Sequence, residues 1–381
     1  MKTRTLAYFF GCLLLAISGN ALAQNTEQQG NDTAVASANN LNNIIQDPNK
    51  LVLLSALDFE RLRINLPDIY NKVYAQTGIT ITLHSTFAEE IPPLIQFMLT
   101  TKQTPHAVIF AQDQLYRFTE NLRDLTALQQ VDKNLAISAD KTYLQLNQGF
   151  FLGFYFNKKL AANTISDFTE FTPQSLAVNF GTAFTTQLFW HHSGFVAADG
   201  ATSADNVEMK LSDALFTYQT LLTNETIPES CVTNACINEL FLNQNIPFAI
   251  DGTWMHETFA DALGDNLGFA ALPSLHTKPS LSLRIPHVLG VLTRLTQQQT
   301  RALAMFSRLL IAASDKFQNS LFTNTNTDIK LDSISYIAQD YNVIGCLFAK
   351  MNPHMAQLNM LNTRKEISEF VSTLEVGECY E

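Results

Sequence analysis

After residue 50, short blocks of consecutive apolar residues alternate with stretches in which apolar positions recur every three or four places. Leu51-Val52-Leu53-Leu54 has the pattern of a buried strand, and Leu62, Leu66, Ile69 and Val73 form one face of a helix that stops at Gly78. Residues 79–83 read as a second strand. Ile91, Leu94, Ile95 and Met98 mark a second helix, and Ala107-Val108-Ile109-Phe110 a third strand. Strand, helix, strand, helix, strand is the signature of a parallel sheet with right-handed crossovers, so the predicted fold class is α/β.

The alternation continues less regularly. Residues 150–156 and 176–180 predict strands, and 211–222 a helix. Pro247-Phe248-Ala249-Ile250 predicts a strand leading into a helix around Trp254 and Phe259; 267–272 and 288–292 predict strands, and 300–312 a helix. Helical patterns fill most of the C-terminal part, and no tandem repeat is visible.

Before residue 50 the pattern differs. Lys2 and Arg4 precede an apolar run over 6–17, and Ala21-Leu22-Ala23 supplies small residues at the cleavage positions of a secretory signal, so residues 1–23 read as a signal peptide and Gln24 as the first mature residue. The run is shorter than the roughly 20 residues that a membrane span needs. Lipid attachment at Cys12 is a lesser alternative, because Phe9-Phe10-Gly11 is a poor lipobox. Residues 24–50, rich in Asn, Gln, Ser and Ala, predict a flexible leader. The mature chain is expected outside the cytosol.

Charge and cysteines narrow the classes. A formal charge of -11 with no basic run excludes a nucleic-acid partner, which needs a basic face to displace counterions. Downstream of the signal stand Cys231, Cys236, Cys346 and Cys379, an even number in a chain sent to an oxidising space, so disulfides are expected. Three connectivities are open, as are free buried thiols; no His or Cys lies at zinc-ligand spacing around Cys231 and Cys236.

Motifs of catalysis are missing. His256-Glu257 begins like a zinc-protease helix, but Ala260 stands where the second imidazole belongs. No GxSxG elbow, Gly-rich phosphate loop or GxGxxG follows a strand, and no phosphate-binding cluster of Arg stands out. His191-His192 point in different directions on a helix, and Glu89-Glu90, adjacent in sequence, cannot flank a scissile bond. A non-enzyme without cofactor or metal is expected.

Several blocks together resemble the extracellular solute-binding proteins of ABC importers, the group that includes the maltose-binding protein. Leu51-Val52-Leu53-Leu54-Ser55-Ala56 is similar to the family's first strand, and Tyr74-Ala75-Gln76-Thr77-Gly78-Ile79-Thr80-Ile81 to its helix end, Gly turn and second strand. Pro105-His106-Ala107-Val108-Ile109-Phe110 resembles its Pro-Asp strand, with His106 in place of the acid. Phe156-Asn157-Lys158-Lys159-Leu160 resembles its Tyr-Asn-Lys element, Ala249-Ile250-Asp251-Gly252-Thr253-Trp254 its Gly-x-Trp element, and Gly268-Phe269-Ala270-Ala271-Leu272-Pro273 its Leu-Pro strand end.

The resemblance implies a two-lobed periplasmic-binding-protein-like fold of type II, each lobe a mainly parallel sheet flanked by helices. Lobe 1 would comprise 51–148 and 292–325, and lobe 2 149–291 and 326–381, with hinge crossings near 147–153, 286–291 and 323–328. It implies a small-molecule solute, a carbohydrate foremost, held in the interlobe cleft of a monomer and handed to an ABC permease in the inner membrane. Polyol phosphate, polyamine and chelated metal are the other ligand classes. An exported interaction protein that has lost solute binding is the competing function.

Carried over by position, the ligand-binding residues are Trp254, Asp58, Asp113, Phe110, Phe184 and Asn359. Trp254 either stacks on ligand or packs in a core; Asp58 and Asp113 either accept ligand hydrogen bonds or cap the helices after them. Phe150 stands where maltose binders carry a carboxylate and Asn359 where they carry a stacking aromatic, which departs from maltodextrin specificity.

Overall fold

The computed structural model describes residues 47–178 and 237–323 apart from short gaps, with parts of 212–228, residues 335–337, Cys346 and residues 364–374. The expected signal peptide, and the expected leader as far as residue 46, lie outside the described residues. Among the described residues no helix is long and apolar enough to cross a membrane.

The continuous apolar run at the start becomes β1 (Lys50–Ser55), flanked by β2 (Thr80–Ser85) and β3 (Ala107–Ala111), both parallel to it. Helix α1 (Leu66–Thr77) starts later than the apolar spacing predicts. Leu62 lies instead in a turn whose backbone is tied to Asp58 O at 3.2 Å. Asn65 then caps α1 through Asp68 N at 3.2 Å, and Pro67 fits its first turn, where no N–H is needed. The helix ends at Gly78, whose φ of 69° suits glycine. Helix α2 (Ile91–Thr101) carries Pro92 and Pro93 in its first turn and buries Ile91, Leu94 and Ile95.

Two further strands complete this sheet, β4 (Tyr143–Gln145) and β10 (His287–Val291), in the order β2-β1-β3-β10-β4. Helix α3 (Thr126–Val131) and the long α5 (Gln297–Thr323) cover it. The observed α5 overruns the predicted 300–312 at both ends. It opens with a capping box: Gln299 N donates to Thr296 Oγ1 at 3.2 Å and Thr296 N to Gln299 Oε1 at 2.9 Å. Leu51, Leu53, Ile109, Leu289 and Phe306 are fully buried here, and each such side chain stabilises the fold by about 1.5–3 kcal/mol. His106, replacing the family's acid, is buried and neutral, accepting Val52 N–H at its Nδ1 (3.0 Å) while burial lowers its pKa.

The second sheet has the order β6-β7-β5-β8, built from β5 (Leu152–Asn157), β6 (Leu176–Val178), β7 (Phe248–Gly252) and β8 (Leu267–Ala270). Its core is aromatic: Phe154, Tyr155, Phe241 and Phe259 are fully buried, and the Tyr155 and Phe259 rings meet edge-on at 4.6 Å. Much of the chain's phenylalanine therefore fills this lobe. Helix α4 (His256–Leu263) packs on it.

Chain direction explains how the sheets join. β10 is antiparallel to β3 and β4, and β5 is antiparallel to β7 and β8, so each sheet contains one reversed strand. These are the strands that have just crossed between sheets. β5 begins beside Gly252, the last residue of β7, and β10 begins beside Ala111, the last residue of β3. Each crossing thus enters a sheet at the C-terminal ends of its parallel strands, and those ends of both sheets face the crossings.

The crossings are themselves paired. Phe150 N donates to Ile285 O at 3.1 Å and Ile285 N to Phe150 O at 2.8 Å. The return falls at 285–286, after β9 (Ser282–Arg284) and before β10, so β10 joins the first sheet rather than lying on the second-lobe side of a boundary at 291. β9 pairs with β11 (Ser335–Ile337). The third crossing expected at 323–328 lies outside the described residues except for Thr323. A last helix, α6 (Arg364–Ser372), buries Ile367 and Val371.

Gly149 sits on the outgoing crossing with φ +97°, and an added Cβ would lie 2.9 Å from Pro286 N and 3.0 Å from Ile285 C. Gly149→Ala is expected to lower unfolding free energy by about 1–3 kcal/mol in urea titrations; an unchanged midpoint contradicts this crossing geometry.

Candidate functional site

The crossing residues are clamped by side chains from both directions. Asn147 Oδ1 accepts from Gly149 N (3.0 Å) and His287 N (2.9 Å), linking the outgoing strand to the return. Gln318, from α5, accepts Gln148 N–H at 3.1 Å and donates to Gly149 O at 3.0 Å. On the second-lobe side, Thr253 N donates to Phe151 O at 2.8 Å and Leu152 N to Ser282 Oγ at 2.8 Å. Buried amides that leave both sheets are thereby satisfied without a ladder, which meets the demand for complete backbone pairing.

An aromatic cluster forms the floor between the sheets. Phe150 meets Trp254 at 6.3 Å, His287 at 5.5 Å and Phe317 at 6.1 Å, all edge-on. The Trp254 indole lies directly over Gly252, where an added Cβ would come within 2.2 Å of the ring. Trp254 is half-buried and packs against the first lobe's core although it follows a strand of the second. His287 Nδ1 is shielded and has no hydrogen-bond partner among the described residues, and burial pushes its pKa down to about 4.

The loop after β3 docks on the return crossing: Gln112 N donates to Pro286 O at 2.8 Å and Gln112 Nε2 to Tyr143 Oη at 2.9 Å. That contact holds the segment with Asp113, whose Oδ1 is shielded from solvent and has no partner among the described residues. Burial raises the Asp113 carboxyl to about 6, against smaller lowering effects from its own and Gln114's backbone N–H groups and from Arg117. One carboxyl oxygen is thus left over beside the C-terminal end of β3, where open α/β sheets bind ligands.

The other sequence-predicted residues fare differently. Asp58 is exposed and caps its own turn, accepting Arg61 N–H at 2.9 Å. Phe110, expected to face ligand, is fully buried in a core with Leu54, Ile95 and Val288, because β3 is covered on both faces and offers no open side. Phe184 and Asn359 lie outside the described residues, as do Cys231, Cys236 and Cys379. Cys346 is disulfide-bonded.

Sequence reasoning missed three features here: His287, the Gln112–Tyr143 contact, and an ion-pair bridge between the lobes. Arg63, at φ 52° in the turn after β1, reaches Glu257 Oε2 at 3.2 Å and also pairs with Asp261. Both acids stand one turn apart on α4. Glu257 belongs to the pair that resembles a protease motif, but the two residues diverge: His256 is buried against Tyr155 and Phe269 while Glu257 faces Arg63. Among the described residues no three His, Cys, Asp or Glu side chains gather as a metal site.

The histidine floor predicts acid sensitivity. His287 binds its proton more weakly folded (about 4) than at its ordinary value of 6.5, so the unfolded chain is protonated first as pH falls. Its contribution is complete above about 6.5 and is lost on the way to 4, by up to ~3 kcal/mol. Asp113, with its raised value, opposes this by favouring the folded state at the acid end. Urea midpoints measured from pH 7 to 4 should fall less steeply in His287→Asn than in wild type; parallel curves contradict the assignment.

The family model described as bacterial extracellular solute-binding protein matches residues 68–327. Among solved structures, the GacH receptor of Streptomyces glaucescens, studied unliganded and with acarbose, is similar with a TM-score of 0.68 and 11% identity, over 87% of this chain and 97% of that one. The maltose/maltodextrin-binding domain MalE from Bdellovibrio bacteriovorus, bound to maltotriose, gives 0.65 and 15%, over 87% and 100%. An ABC substrate-binding protein from Listeria monocytogenes in complex with cycloalternan gives 0.64 and 11%, over 86% and 99%. No curated protein sequence matches. The structural likenesses establish the two-lobed fold, and with the family match over more than half its length this chain belongs to the bacterial extracellular solute-binding proteins.

Proposed function

We propose that this chain is the periplasmic receptor of an ABC importer and captures a sugar-like solute in the cleft between its lobes, performing no chemistry. The observation that carries the reading is Asp113 Oδ1, an unpartnered carboxylate acceptor beside the paired crossings, with the half-buried Trp254 on the adjoining floor. Sugars need that combination: a carboxylate for hydroxyl groups and an aromatic face for the apolar side of a ring. The similar proteins from Streptomyces, Bdellovibrio and Listeria were seen with acarbose, maltotriose and cycloalternan respectively, which supports a carbohydrate here.

In this reading the lobes comprise 51–148 with the segment from β10 to 325, and the remainder after the predicted signal peptide 1–23 and leader. A solute touching both lobes stabilises only the closed arrangement, and the permease in the inner membrane reads that arrangement. One charged hydrogen bond contributes about 1.5–3 kcal/mol, a substantial share of the roughly 8 kcal/mol in micromolar binding. Phe150 stands where maltose binders have a carboxylate, so in this reading Asp113 takes the acceptor role and the sugar preference departs from maltodextrin.

Calorimetry of the mature protein against linear and cyclic oligosaccharides tests the reading. At least one sugar should bind at neutral pH, with affinity falling as pH drops through about 6, where Asp113 gains its proton. Asp113→Asn should weaken binding by about 10- to 100-fold and remove that pH step. Absence of sugar binding, or an Asp113→Asn variant with the wild-type pH profile, contradicts it.

A further inference from the structure

A cavity lies at the end of the first lobe away from the crossings. β10 runs from His287 at the crossing to Val291, which pairs with Ala107, the first residue of β3. Val291 lines a cavity of about 990 Å³ bounded by α3, the end of β10 and the start of α5. It is separated from the crossings by the length of the strand, about 14 Å at 3.4 Å per residue.

Three arginines line this cavity, Arg123, Arg294 and Arg301, each exposed. In a chain carrying a net charge of -11, such a local excess of cations runs against the average. Among the described residues none of the three forms an ion pair, whereas Arg61, Arg63 and Arg308 all do. Arg123 is held in place through its backbone, which donates to Val291 O at 2.8 Å. Asp124, the one acid in the described lining, is engaged locally with Thr126 N at 2.6 Å, and its hydrogen bonds to Thr126 hold its carboxyl below the ordinary range.

Two further features suit an anion. Thr293 is one of the lining residues, and its hydroxyl is shielded from solvent with no partner among the described residues. Gln297 places the first turn of α5 at the cavity, so the positive end of that 27-residue helix adds to the arginines. The wall is of mixed character, with Gln130 and Thr300 beside the apolar Leu128, Leu295 and Val131, the last 44% exposed. Guanidinium forks match phosphate oxygens in pairs, and more than one fork suits a dianion. The cavity size is that of small-molecule sites.

We propose that this cavity is an accessory site for a phosphate monoester bearing an apolar substituent, separate from the solute cleft. The same chemistry is presented by a free organic phosphate and by a phosphatidic acid headgroup.

The test uses the full mature chain at low salt, with phenyl phosphate and phenol in calorimetry and thermal unfolding, and phosphatidic acid in phosphatidylcholine vesicles in co-sedimentation. Phenyl phosphate should raise the melting temperature by about 3 °C at ten times its Kd, and phenol should not. Binding should weaken at least about tenfold in Arg294→Gln/Arg301→Gln, and measurably in Arg123→Gln alone, while oligosaccharide binding in the cleft stays at its wild-type value. Vesicle binding without phenyl phosphate binding, lost in the same variants, assigns the phosphate to a lipid headgroup. Failure of both probes with wild type, or variants that bind like wild type, overturns the proposal whatever the outcome for sugars.

Discussion

The two backbone hydrogen bonds between Phe150 and Ile285 are the constraint around which this molecule is arranged. They hold the outgoing and returning chains side by side, and so decide where each must join the next sheet. Because both chains come in at the C-terminal ends of parallel strands, β5 and β10 have to run backwards through their sheets. The loops that follow the forward strands then gather at the crossings. Asp113, Trp254 and Arg63 follow β3, β7 and β1 in this way, from stretches far apart in the chain.

The lobes are stabilised by different means. The first has an aliphatic sheet wrapped by α1, α2, α3 and α5, with Phe306 stacked near Tyr70. The second relies on interlocking rings, Tyr155 among Phe259, Phe269 and His256. Between them the floor is neither wholly apolar nor wholly polar: Phe150 and Trp254 share it with a neutral His287 and with Asn147.

Much of the architecture is legible in the chain. β1, β3 and β7 are buried on both faces, and unbroken apolar runs announce such strands. The same property hides the orientation of Phe110, since a strand without a polar face does not show which side chains look outward. Apolar spacing alone starts α1 too early because Leu62 continues the helical period, while the Asn65 cap and Pro67 favour a later start. β4, β9 and β11 have three residues each, too few for a period to emerge. Trp254 and Asp113 stand out by their place after strands, but the shielding of Asp113 and the partnership of Arg63 with α4 exist only once distant segments meet. Arg123 and the pair Arg294 and Arg301 likewise show no cluster in the sequence, because they meet only where the segment before α3 is tied to the end of β10, which leads into α5.

Capture of a solute between the lobes requires motion about the paired crossings. Spin labels at Tyr74 on α1 and Leu160 after β5, both exposed, report the distance between lobes. With an oligosaccharide whose binding is followed in parallel by calorimetry, the distance distribution should narrow and shift to shorter values. An identical distribution with and without bound sugar would show that the lobes do not close about this hinge.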